Sequence, residues 1–411
     1  MAPWNVTHVC SAWRQAAVEM PNLWNNVAVT FRIDMEEECA LLKSILEAFL
    51  SRTGESLISL KIIAKNLLDS HSFCGSIIDL LLPYIGRFRH LSLHPCEALC
   101  SLLESKVNAL ESAELDFSEA FNPDHDVFNT IFLDKTCNLR RVTISSNFLD
   151  LDLDPFHISW ANLTQLCLKN TYLAYSQGHA VLRQCVRLVS LAFGIVPDIE
   201  CRGMTRNTIL PVLESLKVAI YTGEQCGQFL QPFILPSLKR LEIDSISTCS
   251  QWSEMILPQL VQRSSCQLRR FEASALAPST VTAFLMTVPS LTRLILHNLR
   301  VGRLREPIQD KDMFSAIARG SLVPNLQHFE CRLYDLEYVI NSVERRTNTA
   351  TSRISPCTPI RSMVIHGYPG NKWQGVQERL SRLRAQGTNI IFRDTSLDIV
   401  KISHNHVRNI H

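Results

Sequence analysis

The chain has 411 residues, of which 46% are apolar and 19% charged, and its formal net charge is +2. Such a composition excludes wholesale disorder, and so small a net charge gives no global case for binding nucleic acid or an anionic membrane. No apolar run approaches the roughly 18 residues of a membrane span, and Met1 to Cys10 lacks the basic start and unbroken apolar core of a signal peptide. The 14 cysteines include no Cys-x-x-Cys pair, and most fall inside apolar patterns, as at Cys167, Cys185 and Cys331. They read as reduced, buried thiols, so the expected location is cytoplasmic, nuclear or both.

Taken in order, residues 2–17 have helical periodicity, with Val6, Val9, Cys10, Trp13 and Ala17 on one face. Pro21 ends that helix, and the alternation of Val27, Val29 and Phe31 predicts a first strand. Glu36 to Ser51 is an amphipathic helix with acidic residues at its start, where the dipole favours them, and Gly54 is its stop. Leu57, Leu60 and Ile62 give the next strand. From there one pattern cycles: Phe88-x-x-Leu91-x-Leu93, Leu139-x-x-Val142-x-Ile144, Leu163-x-x-Leu166-x-Leu168, Leu188-x-x-Leu191-x-Phe193, and on to Ile360-x-x-Met363-x-Ile365. Ile390 to Phe392 is a last edge. The fullest copy is Leu235-Pro236-Ser237-Leu238-Lys239-Arg240-Leu241-Glu242-Ile243, echoed from Leu210, Val288 and Val323.

The first apolar residues at 139, 163, 188, 213 and 238 are 24 or 25 apart, within the period of about 20–29 residues of leucine-rich repeats. Longer steps further on mark insertions, one from Arg300 to Asp312 with three arginines and one from Thr347 to Pro359 expected as a loop. A strand of this kind leaves both edges unpaired, and stacking parallel strands satisfies them while a helix or turn covers the apolar back. The fold class expected is α/β: a leucine-rich-repeat-like solenoid with parallel strands on the concave face and helices or turns on the convex face. A doubly wound α/β enzyme also alternates strands and helices. It requires near-continuous apolar strands and glycine-rich turns, whereas these strands alternate and the chain has 14 glycines.

Ala2-Pro3-Trp4, Val9-Cys10-Ser11-Ala12-Trp13-Arg14 and Met20-Pro21-Asn22-Leu23-Trp24 resemble the second half of an F-box. The likeness is to the form common in mushroom-type fungi, where it precedes degenerate leucine-rich repeats. Phe49 to Leu60, and Asp79-Leu80-Leu81-Leu82-Pro83 before Leu91, resemble later parts of that family, so the likeness spans essentially the whole chain. The family's Leu-Pro-rich first helix has no counterpart in this sequence, so the resemblance implies an F-box represented by its second half. The division expected is a partial F-box-like helical segment over 1–30 and an irregular solenoid over 31–411.

The resemblance implies a non-catalytic substrate adaptor that brings a target protein to an SCF-type cullin–RING ubiquitin ligase through a Skp-type adaptor. Val9, Cys10, Trp13, Leu23 and Trp24 would form the docking segment; alternatively, Trp13 and Trp24 cap the open end of the first repeat. The other class of function is a repeat scaffold that binds protein with no ligase link. Strand alternation points a second set outward: Arg141, Arg240, Arg270, Arg293 and His328 in one column, and Glu242, Glu272 and Glu330, preceded by Lys217, in the next. These columns either neutralise each other or read a partner protein. No cofactor, metal or catalysis is expected: there is no Gly-x-Ser-x-Gly, phosphate loop or His-Glu-x-x-His, and His90, His94 and Cys96 match no zinc spacing.

Overall fold

The computed structural model describes residues 9–32, 36–65, 71–94, 107–118, 131–133, 136–146, 153, 156–196, 207–220, 229–245, 254–274, 276–297, 311–332, 336–351, 357–366 and 374–393. The chain divides into two compact units, Met1–Glu200 and Cys201–His411.

In the first unit a helix, α1 (Ser11–Val18), leads through a 3-10 turn at Pro21–Leu23 into β1 (Asn26–Arg32). The amphipathic stretch then forms α2 (Glu36–Leu50), and Gly54 takes a positive φ of 51° where the chain turns past Pro21 towards β2 (Ile58–Lys65). There follow α3 (His71–Leu81), β3 (Phe88–Leu93), β4 (Ser112–Asp116), β5 (Ile131–Leu133), β6 (Arg141–Ser145), β7 (Phe156–Ile158), β8 (Gln165–Ala174), α4 (Tyr175–Leu182) and β9 (Ser190–Val196). The main sheet runs β1-β2-β3-β4-β6-β8-β9, each strand parallel to the next. Trp24, which precedes β1, packs on Phe49 of α2.

The second unit has β10 (Thr208–Ile209), β11 (Ser215–Ile220), β12 (Phe233–Ile234), β13 (Arg240–Ser245), α5 (Ile256–Ser264), β14 (Arg270–Ser274), α6 (Pro278–Leu285), β15 (Arg293–His297), α7 (Lys311–Arg319), β16 (His328–Arg332), α8 (Leu336–Thr351), β17 (Ser362–His366), α9 (Gln374–Ala385) and β18 (Asn389–Arg393). Its main sheet is again all parallel, in the order β11-β13-β14-β15-β16-β17-β18.

Four of the turns before the second unit's strands use the same hydrogen bond. Leu238 N–H donates to Leu235 C=O at 3.2 Å, and Leu213, Leu291 and Leu326 do the same three residues back at 3.0–3.3 Å. The amides of Lys239 and Arg240 then both donate to Glu214 C=O, those of Arg269 and Arg270 to Lys239 C=O, and those of Thr292 and Arg293 to Arg269 C=O. One carbonyl thus gathers the start of the neighbouring strand and sets its register. Leu238, Leu241 and Ile243 are at most 1% exposed, and burial of each side chain contributes about 1.5–3 kcal/mol.

Two expectations need correction. Thr347 to Thr351 is not loop, because α8 continues through it with Thr347 Oγ1 bonded to Val343 C=O at 2.9 Å. The connections between main-sheet strands are also not helix or turn alone: β5 pairs with β7 and β10 with β12, as short parallel ladders. The insertion at Arg300 to Asp312 lies outside the described residues except for its last two, which begin α7.

Candidate functional site

On the second unit the sheet face bearing the alternate polar residues carries the expected columns. Arg240, Arg270, Arg293 and His328 sit directly beside one another on β13 to β16. Lys217, Glu242 and Glu272 form the next row, but Ile295 stands between Glu272 and Glu330, so that column is not continuous. Ile295 is 2% exposed. Leu294, Ile295 and Leu296 are consecutive apolar residues, which places one of them on the polar face.

Most of these charges neutralise one another. Arg270 Nη2 donates to Glu272 Oε2 at 2.8 Å, and Lys217 donates to Glu242. Glu330, 8% exposed, has His366 Nε2 at 2.6 Å, with Arg293 and Arg393 nitrogens each at 3.7 Å. The His297 imidazole, 3.7 Å away, and the Arg270 guanidinium hold the Glu272 carboxyl at about 2, against the opposing effect of burial. His328 is exposed, and partial burial together with Arg293 and Arg361 lowers its pKa. Arg240 is exposed and makes no side-chain hydrogen bond or ion pair among the described residues.

Glu272 gives a direct pH prediction. Its folded pKa lies below its unfolded value of 4.5, so its contribution is fully present above 4.5 and is lost as pH falls towards 2. Allowing for solvent screening, the loss is about 1–2 kcal/mol. The acid limb of a stability-versus-pH curve is expected to be shallower in Glu272→Gln than in the parent between pH 5 and 2, read by urea unfolding at each pH.

Arg141 belongs to the first unit, where its row neighbours are Ser112 and Gln165. The adjacent row centres on Glu114, which takes Ser92 Oγ at 3.1 Å, Lys169 Nζ at 3.2 Å and Lys61 Nζ at 3.8 Å. Burial alone would raise this carboxyl; Lys169 and Lys61 bring it below the ordinary value. Sequence reasoning missed Glu114, although its alternation with Ala113 and Leu115 marks it as outward.

The docking segment separates into two kinds of residue. Val9, Trp13 and Leu23 are 64%, 58% and 40% exposed, and Cys10 is exposed too. Trp24 is fully buried, its Nε1 donating to Ala17 C=O at 2.7 Å, so its side chain is core and presents no contact surface. Within α1 only Ala17 is buried.

Elsewhere, His94 Nε2 lies 3.4 Å from Asp116, His90 lies on the polar face of the sheet, and Cys96, His404 and His406 are outside the described residues. Among the described residues no three His, Cys, Asp or Glu side chains converge as metal ligands. Burial pushes the thiols of Cys185 and Cys331 up to about 12, the opposite of an activated nucleophile. No helix among the described residues is long and apolar enough to cross a membrane. No protein-family model matches the chain, and a search of curated proteins finds no match either.

Proposed function

We propose that the chain is a non-catalytic protein-binding adaptor, an F-box-like protein that recruits a target to an SCF-type cullin–RING ligase in the cytoplasm or nucleus. In this reading the two parallel sheets belong to one irregular leucine-rich-repeat solenoid, and all covalent chemistry is done by other subunits. The observation that carries it is α1. An isolated helix of eight residues is marginal in water, yet this one buries a single side chain and leaves Val9, Trp13, Met20 and Leu23 exposed around it. Apolar side chains gathered at a surface in this way favour a protein partner. The second reading, a scaffold with no ligase link, draws on the polar sheet faces alone.

The test is direct binding of the purified chain to a purified Skp-type adaptor, read by isothermal titration calorimetry. Saturable binding that Trp13→Ala abolishes is expected. No binding by the parent chain would leave the scaffold reading.

A further inference from the structure

The polar face of the first unit carries a recess of about 460 Å³, lined by His90, Ser112, Arg141, Thr143, Gln165 and Ser190 among others. These residues come from β3, β4, β6, β8 and β9, and His90, Ser112, Arg141, Gln165 and Ser190 occupy one row of paired positions across the sheet. Adjacent strands place successive members about 4.8 Å apart, so a row of five is long enough for an extended segment to lie across.

In the second unit Arg270 and Arg293 have glutamate partners on the polar face, while Arg240 has none among the described residues. Here Arg141 is exposed, and the side chains of Ser112, Arg141, Thr143, Gln165 and Ser190 make no hydrogen bond or ion pair among the described residues. Of the acids nearby, Glu111 pairs with Arg89 at 3.0 Å, and Glu114, in the adjacent row, is taken up by Ser92, Lys169 and Lys61. No carboxylate among the described residues lines the recess. The site therefore has one guanidinium with no direct partner among the described residues, set among hydroxyl and amide groups that both donate and accept.

We propose that this recess receives an aspartate or glutamate side chain of an extended peptide segment of a partner protein. Arg141 forms a two-pronged hydrogen-bonded pair with the carboxylate, a geometry that its planar fork suits and a lysine would not. Ser112, Thr143, Gln165 and Ser190 take the flanking peptide amides, for which groups that donate and accept are fitted. The size agrees: the volume falls within the range of about 300–1,000 Å³ typical of ligand sites, ample for one side chain with its neighbouring peptide units. His90 contributes as a neutral group, because partial burial and the charge of Arg141 disfavour its protonation. The proposal rests on the protein-binding part of the function above and is independent of the ligase link.

A displayed library of random hexapeptides, selected on the purified full chain, tests it. The parent is expected to enrich peptides with Asp or Glu at one fixed position. Arg141→Glu is expected to lose that enrichment at least tenfold, and so is Gln165→Glu, which adds a negative charge to the same recess. Lys239→Glu, a matched charge reversal at an exposed residue of the other unit, is expected to keep it. Absence of acidic enrichment on the parent, or the same peptides selected by Arg141→Glu with unchanged circular dichroism, would overturn the proposal. The calorimetric test with the Skp-type adaptor reads α1 instead, so either result can fail without the other.

Discussion

Arg346→Met is expected to lower the stability of the second unit by about 3–5 kcal/mol, because several buried backbone carbonyls lose their donor at about 1–3 kcal/mol each, read as a fall in the urea midpoint. Arg346 is 0% exposed although it is an arginine in a helix, α8. Its guanidinium has no carboxylate partner among the described residues. It donates instead to backbone carbonyls: Nε to Thr358 at 2.9 Å, Nη1 to Ile317 at 2.6 Å, and Nη2 to Pro324 at 2.7 Å, Val323 at 3.0 Å and Leu326 at 3.3 Å. The Ile317 carbonyl lies in the last turn of α7, the negative end of that helix dipole.

These carbonyls converge because the chain after α7 is held in an unusual path. Gly320 has a φ of 75°, and a Cβ there would come within 2.5 Å of Cys357 Cβ. Val323, a β-branched residue, has a φ of 43°, a region that disfavours it by about 1–3 kcal/mol. Arg346 stabilises that strained turn by bonding the carbonyls it exposes. Met fills similar space but donates nothing, so the carbonyls lose their partners inside the fold. Arg346→Lys keeps the charge and has three donors against the five of the fork, in the wrong plane for this cage. An intermediate loss of about 2–3 kcal/mol is expected from it. A loss below 1 kcal/mol in Arg346→Met would show that water replaces the guanidinium without cost.

The strands of the main sheets were legible because their signal is local. A two-residue period is written within five or six positions, so Leu238, Leu241 and Ile243 announce both the strand and its buried face. The outward column from Arg240 to His328 follows from the same period once the register is assumed. Ile295 broke the acidic column through a feature visible in the same strand. The ladders β5/β7 and β10/β12 were not legible, since strands of two or three residues contain no full period.

Arg346 was missed for a different reason. Its position after Val339, Ile340 and Val343 puts it on the apolar face of α8, which is a sequence signal that the residue is buried. What makes burial tolerable is a set of carbonyls from residues 317–326 and 358, and no local pattern encodes that convergence. The candidate site divides along the same line. Alternation identifies which charges face outward, but whether they are free depends on contacts between strands 25 or more residues apart, as Lys217 with Glu242 shows. Arg141 and Arg270 look alike in sequence, yet Arg270 closes on Glu272 while Arg141 has no acidic partner among the described residues.

Trp24→Ala and Trp13→Ala are expected to part company, although both tryptophans belong to one sequence motif. Trp24 stands edge-on to Phe49, with ring centroids 5.2 Å apart, and Arg52 lies 4.9 Å from its ring centroid. Its indole N–H is also the tie that holds Ala17, the single buried residue of α1. Truncation therefore opens a cavity in the core and loosens α1, at a cost of about 3–5 kcal/mol. Trp24→Phe retains most of the packing, and Ala17 C=O still accepts from Met20 N–H at 3.3 Å. Its cost is about 1 kcal/mol, that of one hydrogen bond. Trp13, at 58% exposure, contributes little to the fold, and Trp13→Ala is expected to stay within about 0.5 kcal/mol of the parent. Yet an exposed tryptophan on a short helix is the kind of side chain that anchors an interface. Urea unfolding and Skp-type adaptor binding, measured on the same three variants, separate the two roles. Trp24→Ala loses both stability and binding, Trp24→Phe retains both in large part, and Trp13→Ala loses binding alone. Full binding by Trp13→Ala would remove α1 as the docking surface and with it the ligase link, leaving the polar face around Arg141 as the remaining route to a partner.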